Sequence, residues 1–193
     1  MIETTDPYVY PGTDVLSNLK GIRDAEKLAR FEARSTTRRI LELQQGLASR
    51  VFDTVHLRAI HSYIFQDVFA WAGQFRTVNI SKGGHSFARA EFIEPALNDL
   101  FRKLAAEGQL VGLERKALIA RAAFFLGEIN AVHPFREGNG RTQREFLRQL
   151  MTTAGFTLDW RGVTREEMIT ASRDSFLTGN ISGLTRIMEH CLR

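Results

Sequence analysis

Cysteine is almost missing from this 193-residue chain, with Cys191 its single representative. An intrachain disulfide is therefore impossible, and no cysteine pair exists for a zinc ribbon or a CxxC redox site. Proline is also scarce, at four residues beside 15 glycines, which excludes collagen-like and proline-rich linker segments. Long apolar runs are missing too. Ala122-Ala123-Phe124-Phe125-Leu126 falls far short of a bilayer span, and Met1-Ile2-Glu3-Thr4-Thr5-Asp6 does not read as a signal peptide. These absences predict a reducing, cytoplasmic setting without a membrane partner. Lysine is scarce beside arginine, five against 21, and the formal charge is +4. Yet the cations interleave with acids, as in Arg23-Asp24-Ala25-Glu26-Lys27, and form no stripe alternating with aromatics. The charge therefore does not point to direct nucleic-acid binding.

What is present suits one compact domain over residues 1–193: 44% hydrophobic residues can build a core and 25% charged residues can cover it. Residues 1–20 hold Pro7 and Pro11-Gly12-Thr13-Asp14 and read as an irregular arm. A helical pattern runs from Asp24 to about Gln45 and closes at Gly46. Asp53 can cap a second helix bearing Val55, Ile60, Ile64 and Val68 on its apolar face. Over residues 75–88, Phe75, Val78 and Ile80 precede Lys82-Gly83-Gly84-His85 and Ser86-Phe87, a pattern that predicts a small β-hairpin. Helices then follow without a break. Glu91 to Ala106 places Phe92, Ala96, Leu100 and Leu104 on one face, and Leu113 to Ala131 is apolar enough for the centre of the fold. Asn139 to Ala154 forms a third, ended by Gly155. The capping-box pattern Thr164…Glu167 opens a helix to about Leu177, and Asn180 or Ser182 opens the last, to His190. The expected fold is mainly α.

One segment concentrates reactive residue types: His133-Pro134-Phe135-Arg136-Glu137-Gly138-Asn139-Gly140-Arg141-Thr142-Gln143-Arg144. Pro134 disfavours helical geometry at His133 and so breaks the preceding helix. A Gly138-Asn139-Gly140 turn, built of types that tolerate positive φ, would turn backbone N–H groups into one concavity at a helix N-terminus, a ready phosphate nest. At 100° per residue, Arg141 and Arg144 share a face opposite Phe146 and Leu150, one turn apart and suited to successive phosphates. Glu137 makes sense as a Mg²⁺ ligand, since that ion takes one or two carboxylates plus phosphate oxygens. His133, with a reference pKa near 6.5, can accept a proton at cellular pH. The parts describe a metal–nucleoside triphosphate site beside a general base. A Rossmann turn fits poorly because position 143 is Gln and a helix precedes the glycines, and no GxxxxGK[ST] occurs.

These residues match the Fic-domain signature HPFx[D/E]GNGRxxR without a gap, and the chain resembles that family further in Tyr10-Pro11-Gly12-Thr13-Asp14-Val15-Leu16, Phe69-Ala70-Trp71-Ala72-Gly73 and Gly83-Gly84-His85-Ser86-Phe87. The resemblance implies a helical bundle around a central motif helix pair with one β-hairpin flap. It implies transfer of AMP from ATP to a hydroxyl side chain of a target protein, with Mg²⁺. By position, His133 resembles the base, Phe135 the loop's core anchor and Glu137 the metal ligand. Gly138, Asn139, Gly140 and Arg141 resemble the α/β-phosphate cradle, and Arg144 the γ-phosphate contact. Lys82, Gly83, Gly84 and His85 resemble the flap that clamps the target by β-augmentation. The intact Gly140 favours AMP transfer, since a lysine there accompanies phosphate transfer in relatives. Transfer of another phosphate-containing group, or non-catalytic nucleotide binding, remain the alternatives.

Members are commonly silenced by a helix bearing [S/T]xxxE[G/N], whose Glu pairs with the second motif Arg. Here Glu precedes Gly only at Glu107-Gly108 and Glu137-Gly138, with Lys103 and His133 four residues earlier, and Glu never precedes Asn. The resemblance therefore implies a separate small antitoxin supplying a Glu to Arg144, as in bacterial toxin pairs whose targets are type II topoisomerases (DNA gyrase, topoisomerase IV). Other conspicuous residues read plainly. Phe135, Trp71, Phe124 and Phe125 read as core and Arg148 as an ion-pair residue. Cys191 reads as apolar filler, and His56 and His61, about 140° apart on a helix, as no metal pair. His85 stays open between hairpin turn and target contact.

Overall fold

Local capping chemistry sets where the helices begin. Asp24 accepts the Lys27 N–H at 2.8 Å and opens α1, Ala25–Gln45. Asp53 accepts the His56 N–H at 2.7 Å and opens α2, Thr54–Phe65. A computed structural model describes residues 6–46, 51–82 and 84–193. The other described helices are α3 (Ile93–Ala106), α4 (Arg115–Val132), α5 (Asn139–Thr153), α6 (Arg165–Thr178) and α7 (Ser182–Cys191). The capping box at α6 forms as its sequence predicts, with Thr164 and Glu167 satisfying each other's backbone N–H groups.

Apolar faces then dictate the packing. α4 buries Leu118, Ala122, Phe125, Leu126 and Ile129 and packs against α3, α5, α6 and α7. α5 presents Phe146, Leu147, Leu150 and Met151 to α2 and α4. α1 lies across α2. Cys191 is fully buried in α7, and burial pushes its thiol up to about 11. The mainly helical bundle expected from periodicity is the one observed. Among the described residues, no helix is long and apolar enough to cross a membrane.

Four readings need correction. α3 begins at Ile93 after a one-turn 3₁₀ segment, Ala90–Phe92, and buries Ile93, Leu97, Leu100, Phe101 and Leu104. Phe92 is 54% exposed, because the 3₁₀ turn offsets it from the helical phase. Val55 is exposed as well, since it points away from the core while Thr54 and Leu57 in the same turn are buried and His56 reaches Gln149 of α5; Val68 is buried but lies beyond the end of α2 at Phe65. Gly138 alone uses positive φ, at 83°, because Asn139 and Gly140 are already inside α5. The hairpin is far shorter than residues 75–88: β1 is Ser81–Lys82 and β2 is His85–Ser86, antiparallel. Its base is held by a side chain instead of a ladder. The buried Arg76 guanidinium donates to the carbonyls of Val78 and Ala88, which a longer strand pair could have used, and to those of Val132 and His133 at the end of α4, tying the hairpin base to that helix.

Candidate active site

α4 ends where Pro134 forces it to end. His133 occupies the left-handed region (φ 49°, ψ 62°), its N–H still reaching the Ile129 carbonyl at 3.1 Å. Its ring stacks on Phe87 with centroids 3.9 Å apart. His133 Nδ1 lies 3.3 Å from the Asn130 carbonyl oxygen. A carbonyl only accepts, so Nδ1 carries the proton and Nε2 keeps its lone pair, the tautomer a general base needs.

The following loop is built to be rigid. Phe135 is 1% exposed and stacks on His61 at 3.8 Å. Asn139 braces the loop from inside: its Oδ1 accepts the Phe135 N–H at 2.9 Å and its Nδ2 donates to the Phe135 carbonyl at 2.7 Å. Its side chain is thereby spent, and only its backbone N–H is left for a ligand. His61 accepts the Gly73 N–H at Nδ1 (2.8 Å), so its Nε2–H donates to the Glu137 carbonyl (3.0 Å). Burial holds the His61 ring down to about 3, with the Arg141 charge adding to that, so it is neutral. At Gly138 a Cβ would come within 2.1 Å of the Phe65 ring. The loop thus rests directly on α2.

Gly138 brings no capping side chain to α5, and no acceptor is in place for the N–H groups of Asn139, Gly140 and Arg141 among the described residues. These amides and the helix dipole form the positive end of a cavity of about 1270 Å³, which His133, Glu137, Gly138, Asn139, Gly140, Arg141 and Arg144 all line. Two of the guanidiniums that line it, those of the motif helix, differ. Arg141 donates to Glu32, Glu137 and Thr36 and lies over the Phe65 ring. The Arg144 guanidinium has no hydrogen bond or ion pair among the described residues. Burial and the neighbouring Arg141 charge both press its pKa down. Such a cation, desolvated and without an anion, fits a phosphate. Glu137, its side chain 45% exposed, lends Oε1 to Gly138 N–H (2.8 Å) and to Arg141 (3.2 Å). A single accessible carboxylate beside phosphate donors suits Mg²⁺ better than an ion wanting a full protein cage.

The seven motif residues predicted for catalysis, metal and phosphate therefore converge on one cavity. Of the flap residues, Lys82 and His85 pair through their backbones in the hairpin, Gly84 lies in its turn with φ 81°, and Gly83 lies outside the described residues. Arg148 pairs with Glu145 on the far part of α5, as read from sequence. Sequence reasoning passed over Glu32, His61 in its loop-holding role and Arg76. All three act through contacts separated by dozens of residues, and no local pattern announces them.

Residues 51–151 match the Fic/DOC family. This chain belongs to it. It is 43% identical to protein adenylyltransferase VbhT of Bartonella schoenbuchensis over 90% of its own length, though it spans only 36% of that longer relative. The Fic protein of Escherichia coli (strain K12) is 38% identical, over 97% of this chain and 92% of its own. Among solved structures, the BepC protein of Bartonella tribocorum with bound AMPPNP superposes with a TM-score of 0.93 at 28% identity, covering 96% of both chains. The N-terminal Fic domain of a Bartonella quintana Bep effector with bound ADP gives 0.93 at 30% identity, over 96% of this chain and 94% of that one. The Fic fold expected from the motif is the fold found.

Proposed function

We propose that this Fic chain transfers AMP from Mg·ATP to a Tyr, Ser or Thr hydroxyl of a target protein. One observation carries the reading: an imidazole whose Nδ1 faces a carbonyl shares a cavity with a helix N-terminus that lacks a capping side chain and with a buried Arg144 guanidinium that has no ion pair among the described residues. Relatives named protein adenylyltransferases, and similar structures holding AMPPNP or ADP, support it. In the reaction, the target hydroxyl gives its proton to His133 Nε2 while its oxygen bonds the α-phosphorus. The bond from that phosphorus to the bridging oxygen breaks opposite, and pyrophosphate leaves. The N–H groups of residues 139–141, Arg141 and Arg144 hold the phosphates and stabilise the charge that grows on them. Glu137 would hold Mg²⁺, which supplies neutralising charge at the phosphate oxygens.

The target docks on the flap hairpin around Lys82–His85 by adding a strand, with type II topoisomerases (DNA gyrase or topoisomerase IV) the first candidates. The unpaired Arg144 is where a separate small antitoxin would place an inhibitory Glu, which makes the chain the toxin of a pair acting in the cytoplasm.

His133→Ala is expected to fold as the parent does and to lower target labelling from α-³²P-ATP by about 10²–10⁴-fold. Label arriving from γ-³²P-ATP instead would favour transfer of a different phosphate-containing group. Full α-label from the His133→Ala variant would remove His133 from the mechanism.

A further inference from the structure

Arg141 is held from two sides by carboxylates of unlike exposure. Its Nη2 donates both to Glu32 on α1 and, at 3.2 Å, to Glu137 in the motif loop. The Glu32 side chain is 13% exposed and sits on a helix, whereas that of Glu137 is 45% exposed. Thr36, one turn beyond Glu32 on α1, accepts from Arg141 Nη1 at 3.2 Å and donates its own hydroxyl hydrogen to the Glu32 carbonyl. The Phe65 ring lies beneath the guanidinium, 4.7 Å to its centroid. Arg141 thus keeps Nε–H and one Nη1–H unspent, enough for a phosphate oxygen. Its weaker partner, Glu137, is the carboxylate the proposed function assigns to Mg²⁺.

We infer that Glu32 is a positioning residue: it anchors Arg141 to α1 so that Glu137 is released to bind the metal when nucleotide enters. The inference rests on the Mg·nucleotide reading of the cavity. Without the Glu32 charge, Arg141 has Glu137 as its remaining anionic partner and competes with Mg²⁺ for it. Glu32 also offsets the charge of Arg141, which bears on the neighbouring Arg144 guanidinium. This role differs from that of an inhibitory Glu, which would pair with Arg144.

The test is calorimetric binding of AMPPNP to the whole chain, with Mg²⁺ and with EDTA. Parent protein should bind more tightly with Mg²⁺. Glu32→Gln should lose at least fivefold of that metal-dependent gain while changing metal-free affinity less than threefold. Glu32→Asp, which keeps the charge, should recover part of the gain, and it carries the comparison if the Gln variant does not fold. In an Arg141→Ala background the Glu32 substitution should have no further effect. An equal Mg²⁺ gain in parent and Glu32→Gln overturns the inference. So does a parallel loss of both affinities, the mark of a merely structural role. Parent protein that binds no AMPPNP in either buffer overturns the functional reading itself, and this inference with it.

Discussion

At position 61 an imidazole is used as a neutral spacer. It accepts from Gly73, donates to the Glu137 carbonyl and stacks between Phe65 and Phe135. A proton added at Nδ1 would face the Gly73 N–H, so the folded state refuses it until about pH 3, while the unfolded chain takes it up near 6.5. Between those values the unfolded state binds more protons, so stability must fall as pH falls. The slope is about 1.4 kcal/mol per pH unit from this group, and the contribution is fully present above pH 6.5. His61→Gln can still donate and accept but does not titrate. Urea unfolding at pH 7 and pH 5 should therefore show a shallower pH dependence for the variant by about that slope; equal slopes would contradict the assignment. The role of His61 is not legible in the sequence, since its loop contact spans 76 positions. The convergence of His133, Glu137 and Arg144 on one cavity is legible, because Pro, Gly and Asn between them restrict the backbone enough to bring them together. Asn139 shows the limit of such reading: the residue type is right for the loop, but its side chain braces Phe135 and leaves only the amide for a ligand.

The start of α5 is the element on which the site depends, and Gly138 sets its angle of entry. Two costs meet there: a left-handed φ of 83° and a Cβ position 2.1 Å from the Phe65 ring. Gly155, at the other end of the same helix, has φ 90° but open space where a Cβ would go. Gly155→Ala should therefore cost only the conformational term, about 1–2 kcal/mol. Gly138→Ala adds overpacking and should cost roughly 2–5 kcal/mol. Denaturant midpoints of the two variants check this, and equal losses would mean the loop yields away from α2. Helix ends of this kind are legible in sequence because caps are local: Asp53 and Thr164 cap as their patterns predict, and Asp24, where the helical pattern of α1 starts, is its cap. Helix faces are less so. Phe92 falls out of phase through a 3₁₀ turn, and the hairpin is short where Arg76, outside both strands, takes the carbonyls of Val78 and Ala88.

Across the whole molecule, α6 forms one wall of the cavity, through Met168, Ser172 and Phe176 among others, and four further parts of the chain bring the charged and polar groups of the candidate site. α1 brings Glu32 and α4 ends in His133; the loop brings Glu137, and α5 brings its amides with Arg141 and Arg144. α2 carries no lining residue, yet Phe65 and His61 hold the loop in place from below. Electrostatically the cavity is a positive pocket in which Arg141 is paired with two carboxylates and Arg144 has no ion pair among the described residues. A structure of the chain with magnesium and AMPPNP tests this most directly. The β- and γ-phosphates should lie against the N–H groups of residues 139–141, with Arg144 on a phosphate and a metal bound to Glu137. Nucleotide lying elsewhere, or a helix N-terminus still bare at saturating AMPPNP, would contradict it.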